Sequence, residues 1–294
     1  MLLRRVVTAL ALLSILIPAL LAPQTWIWAA FSFVFVMLAV WEWLRLLEPS
    51  RSQSSVFFAM LILGTILLFD HVFQGRRWLE DLVTASCFLA ATLWLVLVPR
   101  SLRGKTLPAW LQAWLAWLFL LAAWMALLEL HRIDLLLLFS GLALVWIADI
   151  AAYFAGRRFG KRKLAPTISP GKTQEGAIGA CLAVGLIGVA SIWLSAEPWA
   201  QSLSRRWFDL LAPMMNETMA LLTVLGLLLV LVILSIIGDL YESQLKRLAG
   251  VKDSSNLLPG HGGILDRIDA LIPTLPAIVV IDRWLHWLVA GIAA

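Results

Sequence analysis

Charged residues are scarce in this 294-residue sequence: Asp, Glu, Lys and Arg make up 14% of it, whereas hydrophobic residues make up 62%. Soluble domains carry roughly a quarter charged residues, so this composition excludes an ordinary soluble domain. Cysteine is rarer still. Cys87 and Cys181 both fall within apolar runs, and neither a disulfide nor a cysteine-based metal site is indicated. The net charge of +5 is not gathered into a basic domain with interleaved aromatic residues, so we expect no nucleic-acid partner.

The sequence contains instead a series of apolar runs close to the length of about twenty residues that crosses a bilayer as a helix. We therefore predict an all-α, polytopic membrane protein. The first run is not followed by a small-residue cleavage site, which favours a retained helix over a signal peptide. Nine spans are predicted, at residues 6–22, 26–44, 56–69, 82–98, 109–128, 134–153, 177–195, 219–238 and 271–290.

The distribution of basic residues predicts the orientation of these spans. If the N-terminus is cytoplasmic, 17 of the 23 Lys and Arg residues lie in cytoplasmic segments and 6 lie outside, as the positive-inside rule requires. The C-terminus is then predicted outside. We expect residues 1–128 to form a scaffold of about five helices. Residues 129–294 are expected to form a catalytic region of about four helices, with cytoplasmic loops at 154–176 and 239–270.

The polar chemistry of the chain is concentrated in residues 238–269, between two apolar runs. Asp239, Ser243 and Lys246 are spaced so that they share one face of a helix, and Gly250 is a plausible helix terminator. Carboxylates that can converge suit a hard divalent cation such as Mg²⁺. The acidic residues in question are Asp239, Asp266 and Asp269.

The same stretch also carries groups that can bind phosphate. Gly262 and Gly263 would let backbone N–H groups approach an anion closely. The cations that could neutralise phosphate are Lys246, Lys252 and Arg267.

A second polar region begins near the end of the sixth predicted span, where Asp149 is followed four residues later by Tyr153. An acidic residue at membrane depth marks a functional site by default. The alternative is a carboxylate that pairs at the interface with Arg157 or Arg158, and the sequence leaves both open.

The Gly-Lys-Thr at 171–173 is not a P-loop, because Pro166 occupies a position where that motif requires glycine. Further along, residues 197–217 suggest a short amphipathic helix on the membrane surface. Asp282 and Arg283 interrupt the last span, and we expect them to pair internally or to lie near the outer surface.

Two of these stretches resemble the phosphatidate cytidylyltransferase (CDP-diacylglycerol synthase) family. Residues 243–269 match the family signature S-x-L-K-R-x4-K-D-x-S-x2-L-P-x-H-G-G-x-L-D-R-x-D, and residues 169–176 match S-P-x-K-T-x-E-G, with Gly171 where many relatives have lysine. The resemblance implies a multi-pass protein of the bacterial inner membrane, with an active site open to the cytoplasm. It also implies transfer of a cytidylyl group from CTP to phosphatidic acid, Mg²⁺ alone or with a second cation, and a homodimer.

On this resemblance, Asp239, Asp266 and Lys246 are expected to be catalytic, and Asp239, Asp266 and Asp269 to hold the metal. His261 is expected either to contact the nucleotide or to make a structural hydrogen bond. Since a lipid phosphate is already ionised at neutral pH, catalysis should consist of positioning and charge neutralisation. Substrate contacts are expected from Ser243, Lys172, Lys252, Arg267, His261, Gly262, Gly263, Ser169 and Thr173.

Two other functions remain as alternatives. A transporter or channel also has many spans and intramembrane acids, but it predicts duplicated hydropathy and broken helices near the bilayer centre, neither of which is evident in the sequence. A related cytidylyltransferase acting on a different lipid phosphate would carry the same motifs.

Overall fold

The computed structural model describes residues 14–22, 24–47, 58, 62, 64–66, 77–104, 107–194, 202–258, 260 and 262–293. These residues form an all-α protein with one small β-hairpin. The helices are α1 Thr25–Leu46, α2 Arg77–Val96, α3 Val98–Leu102, α4 Ala109–Ile133, α5 Leu135–Phe159, α6 Gln174–Leu194, α7 Leu203–Leu211, α8 Glu217–Leu248, α9 Leu265–Ile268 and α10 Leu271–Ala293.

Within the described residues, six segments are long and apolar enough to cross a membrane. They are α1, the stretch Glu80–Leu102 that joins α2 to α3, and helices α4, α5, α6 and α8. The chain is therefore a polytopic membrane protein of helical class. Residues 6–13 of the predicted span 6–22 and most of the predicted span 56–69 lie outside the described residues. Helix α10 coincides with the last predicted span but is not among these six.

The predicted loop at 154–176 is shorter than expected and is not purely a loop. Helix α5 continues to Phe159 and α6 begins at Gln174. Between them, β1 (Lys163–Ala165) and β2 (Ser169–Thr173) pair in antiparallel fashion. Pro166 and Pro170 are disfavoured inside a helix, and this favours a hairpin over continuation of α5.

Helix α8 extends ten residues past the predicted end of its span, to Leu248. At about 1.5 Å per residue it is about 48 Å long, which exceeds a hydrocarbon core of about 30 Å, and its last turns project past the apolar run that could cross that core. Asp239, Ser243 and Lys246 lie on this projecting end, and the predicted helix face is confirmed. The helix ends at Leu248, and Gly250, the predicted terminator, follows two residues later with a φ of +69°, a left-handed conformation that suits glycine.

The predicted amphipathic helix is confirmed as α7, and its apolar face packs against the protein. The apolar side chains of Leu203, Trp207 and Leu211 are buried within the protein. Arg206, on the same helix, donates from Nε to Asp282 of α10 across 2.7 Å. The helix therefore packs against the bundle, and Asp282 pairs internally, as predicted.

Candidate active site

A cavity of about 490 Å³ lies where the end of α5, the hairpin, the start of α6 and the projecting end of α8 meet. It is the place where both polar regions of the sequence come together. Its polar lining consists of Asp149, Tyr153, Arg157, Ser169, Lys172, Thr173 and Asp239.

An ion pair joins the two regions inside this cavity. Lys172 of β2 contacts Asp239 of α8 through Nζ and Oδ2. One turn later on α8, the Ser243 hydroxyl donates to the other oxygen of Asp239 at 3.5 Å. Because about a quarter of the Lys172 side chain and a third of the Asp239 side chain remain exposed, both can still reach a ligand.

The hairpin that carries Lys172 is held against the beginning of α6. The hydroxyl of Thr173, which is buried, accepts a hydrogen bond from the Gly176 N–H at 3.1 Å, as a helix-capping residue does. The Glu175 carboxylate accepts from the backbone N–H groups of Lys161 at 3.0 Å and Arg162 at 3.2 Å. Thr173 thus lines the cavity and also fixes the strand that positions the lysine.

Asp149, which the sequence left open between a functional and a pairing role, lines the cavity. Within the described residues it makes no ion pair with Arg157 or Arg158, and Arg157 donates instead to the Tyr153 hydroxyl at 3.1 Å. Asp149 faces the same space as Asp239 and Lys172. The helix period places it there, one turn before Tyr153.

Asp269, the residue directly after α9, lies against helix α8 at Gly238, the sequence neighbour of Asp239. A Cβ on Gly238 would collide with the Asp269 carbonyl oxygen and lie 2.8 Å from Pro273, so only glycine permits this approach to α8. Burial, and then the nearby carboxylate of Asp239, raise the pKa of Asp269. Asp149 acts in the same direction, whereas Lys172 opposes it.

Asp266 and Lys246 form a separate cluster. Lys246 Nζ lies 2.5 Å from Glu242 and 2.6 Å from Asp266. Asp266 also accepts from the Ser254 N–H at 3.0 Å and from the Gly263 N–H at 2.8 Å, and the Ser254 hydroxyl oxygen lies 3.0 Å from the same carboxylate. Burial alone would raise the pKa of Asp266, but the neighbouring Glu242 and Lys246 side chains and the Gly263 N–H together lower it to about 2.

The sequence analysis did not identify Glu42 on α1. This residue organises the part of the family-like stretch 243–269 that follows α8, which we call the signature loop. Its fully buried carboxylate accepts from the Ser254 hydroxyl at 2.9 Å and the Ser255 hydroxyl at 2.5 Å. It also accepts from the N–H groups of Ile264 at 3.0 Å and Leu265 at 2.6 Å. An acid within an apolar run is a signal that could have found it, but its partners lie more than 200 residues away.

The remaining predicted residues are not gathered into the cavity. Lys252 is exposed and makes no hydrogen bond or ion pair with any described residue. Arg267 is exposed and lines a different, apolar cavity. Gly262 pairs with Leu258 in an isolated bridge, and His261 lies outside the described residues.

No three His, Cys, Asp or Glu side chains in the described part of the chain stand close enough together to hold a metal ion as they are. The donor set nevertheless suits one. Asp149, Asp239 and Asp269 interact electrostatically and share a single cation, Lys172, which leaves surplus negative charge on oxygen donors of the kind that Mg²⁺ prefers. The Asp266 carboxylate is already engaged by Lys246, so its geometry favours bracing the loop.

Comparison with known proteins gives a consistent match along the chain. Residues 3–284 match the cytidylyltransferase family. A phosphatidate cytidylyltransferase of Pseudomonas aeruginosa is 38% identical over 283 residues, covering 94% of this chain and 95% of that protein. A protein of the same name from Haemophilus influenzae is 33% identical over 295 residues, covering 94% and 96%. One from Brucella suis is 35% identical over 262 residues, covering 84% and 83%.

Proposed function

The chain belongs to the cytidylyltransferase family, and from that premise we propose that it makes CDP-diacylglycerol and pyrophosphate from CTP and phosphatidic acid. The observation that carries the proposal is the Lys172–Asp239 ion pair. It joins the family-like motif at 169–176 to the start of the polar stretch 238–269 at one cavity. That cavity is large enough for polar head groups and is lined by both acids and cations.

In the proposed reaction, an ionised phosphate oxygen of the lipid attacks the α-phosphorus of CTP. A new P–O bond forms, the bond between the α-phosphorus and the β-bridging oxygen breaks, and pyrophosphate leaves with the electron pair. No general base is required, so the protein has to bring two polyanions together and neutralise their charge. Lys172 is placed to contact phosphate in the cavity, and Ser243 orients Asp239 beside it.

We further propose that a divalent cation binds at Asp239 and Asp269, with Asp149 beside them. Such an ion, when bound, would withdraw charge from the phosphates and polarise the α-phosphorus. Asp266 is proposed to act through Lys246, because that lysine spans Asp266 on the loop and Glu242 on α8. The place of Asp266 in metal coordination remains a prediction.

The orientation of the chain belongs to the same proposal. Nine spans with a cytoplasmic N-terminus would put the projecting end of α8 and the hairpin in the cytoplasm, where CTP is found. We propose a location in the bacterial inner membrane, a division into scaffold (1–128) and catalytic (129–294) regions, and a homodimer.

The proposal is tested with purified protein in detergent, labelled CTP and dioleoyl phosphatidic acid. We expect labelled CDP-diacylglycerol only when Mg²⁺ or Mn²⁺ is present, and a loss of at least 100-fold in turnover for Asp239→Asn. Asp209→Asn is the matched control, because that acid lies on α7 and pairs with Arg205 away from the cavity. Near wild-type turnover by Asp239→Asn would refute the metal assignment.

A competition among lipid phosphates distinguishes the substrate class. We expect phosphatidic acid to be used in preference to a polyprenyl phosphate when both are offered at equal concentration. Preferential use of the polyprenyl phosphate would favour a related transferase that acts on polyprenyl phosphates.

A further inference from the structure

A second cavity, of about 280 Å³, lies on the other side of the signature segment. Its walls come from α1, α4, α5, residues 264–275, Leu258 and Leu16. They are almost entirely apolar. Two of its few polar groups satisfy each other, because the Trp124 indole N–H donates to the Ser32 hydroxyl at 3.0 Å and that hydroxyl donates to the Trp28 carbonyl at 2.7 Å.

Arg267 is the one charged residue among the described residues that line this cavity. Its side chain is exposed and makes no hydrogen bond or ion pair with another described residue. An unpaired guanidinium at the rim of an apolar cavity is matched to an anionic group that carries an apolar tail.

The residues of α1 that line the cavity run from Trp28 to Val36, over about two turns of the helix. Arg267 lies two residues after Leu265, whose N–H donates to the Glu42 carboxylate near the end of α1. Arg267 is therefore near the Glu42 end of α1. Trp28 lines the cavity much earlier on α1. At about 1.5 Å per residue, Trp28 and Glu42 are about 21 Å apart along the axis, a depth that runs well into the hydrocarbon core of about 30 Å.

The apolar cavity and the polar cavity share their dividing walls. On α5, Trp146 lines the apolar cavity and Asp149, less than one turn later, lines the polar one. In the signature segment, Arg267 and Ile268 face the apolar cavity, while the carboxylate of the next residue, Asp269, interacts with Asp239. A lipid held in the apolar cavity would therefore present its head group beside the reacting groups.

We propose that this cavity binds an acyl chain of the lipid phosphate substrate, with Arg267 on its phosphate. The inference rests on the proposed function and adds the place where the lipid is held. A bilayer lipid without any role in the reaction is the competing occupant, and charge complementarity at Arg267 favours the anionic substrate.

The first test narrows the cavity with Ala123→Leu on α4. We expect the KM for dioleoyl phosphatidic acid to rise at least fivefold, while the KM for CTP and for dihexanoyl phosphatidic acid changes less than twofold, because a short chain does not reach Ala123. The matched control is Gly226→Leu on α8, where an added Cβ meets nothing within 4 Å. An unchanged KM, or equal changes for both lipids, would overturn the proposal.

The second test uses the wild-type protein and so does not depend on a variant that folds. Phosphatidic acid with a diazirine at the end of one acyl chain should label residues 28–36 of α1 and 120–127 of α4. Unlabelled phosphatidic acid should compete with the labelling, and phosphatidylethanolamine should not. Labelling elsewhere, or equal competition by both lipids, would show that the cavity does not select the substrate over an ordinary bilayer lipid, and would contradict the proposal. Selective labelling without any CDP-diacylglycerol product would overturn the proposed function and leave the lipid site standing.

Discussion

Glu42 is a buried charge whose four hydrogen-bond donors come from one segment of the chain. Two serine hydroxyls and two backbone N–H groups converge on its carboxylate, all of them 212 to 223 residues later in the sequence. A buried charge is costly unless it is fully bonded, and hydrogen bonds to a charged group contribute about 1.5–3 kcal/mol each. Glu42 therefore ties α1 of the N-terminal half to the signature loop.

Replacing Glu42 with Gln should destabilise the protein and disturb the loop. A Gln side chain keeps one acceptor oxygen, but its NH₂ group is a donor. It would face the hydroxyl and N–H donors that bind the second oxygen of Glu42. We expect a clear fall in Tm and at least a tenfold loss of kcat/KM for CTP, measured by thermal unfolding in detergent and by turnover. The control is Glu217→Gln at the exposed start of α8, and an unchanged Tm and turnover in Glu42→Gln would contradict this role.

At the scale of elements, the close approach of the signature segment to α8 depends on Gly238. The Gly238→Ala variant places a methyl group against the Asp269 carbonyl oxygen and Pro273, so the segment has to move away from α8. We expect at least a tenfold loss of turnover, because Asp269 would leave the neighbourhood of Asp239. Gly226→Ala on the same helix meets nothing within 4 Å and should retain activity. Equal activity of the two variants would argue against this packing role.

The hairpin gives a prediction of its own through Thr173. Thr173→Val removes the hydroxyl that accepts from Gly176 N–H, and loss of such a cap costs about 0.5–2 kcal/mol. Since the strand holds Lys172, we expect the KM for CTP to rise several-fold. Thr173→Ser keeps the hydroxyl, so its KM for CTP should equal that of the wild type. Equal KM values for the Val and Ser variants would show that the cap does not position the lysine.

How far the sequence predicts these elements depends on the distance between partners. The helical face of Asp239, Ser243 and Lys246 follows from local periodicity alone, and the structure confirms it. The contact of Lys172 with Asp239 depends on the packing of a hairpin against a distant helix, and no spacing rule predicts it. Glu42 is the extreme case, because nothing near it in the sequence indicates its partners.

At the scale of the whole molecule, α10 is tied to two other helices by charges inside an otherwise apolar helix. Asp282 pairs with Arg206 of α7, and Arg283 donates to Glu129 of α4 at 2.6 Å. From the sequence, Asp282 and Arg283 are expected either to pair internally or to lie near the outer surface, and the structure shows internal pairing. The sequence did not identify the partners, which lie on different helices, so each ion pair fixes the position of α10 against a different neighbour.

The pairing of Asp282 is expected to stabilise the protein far more than a less buried ion pair on α7. Asp282→Ala leaves Arg206 without its partner beside a buried site, and breaking a buried pair in this way costs about 3–5 kcal/mol. Asp209→Ala removes a half-buried pair four residues apart on the same helix α7; for a pair at this helical spacing about 0.3–0.5 kcal/mol is expected. Thermal unfolding in detergent should therefore show a large fall in Tm for the first variant and almost none for the second. The double variant Asp282→Ala, Arg206→Ala should recover part of the loss, because no unpaired charge remains. Equal shifts for the two single variants would show that the Asp282–Arg206 pair does not hold α10 in place.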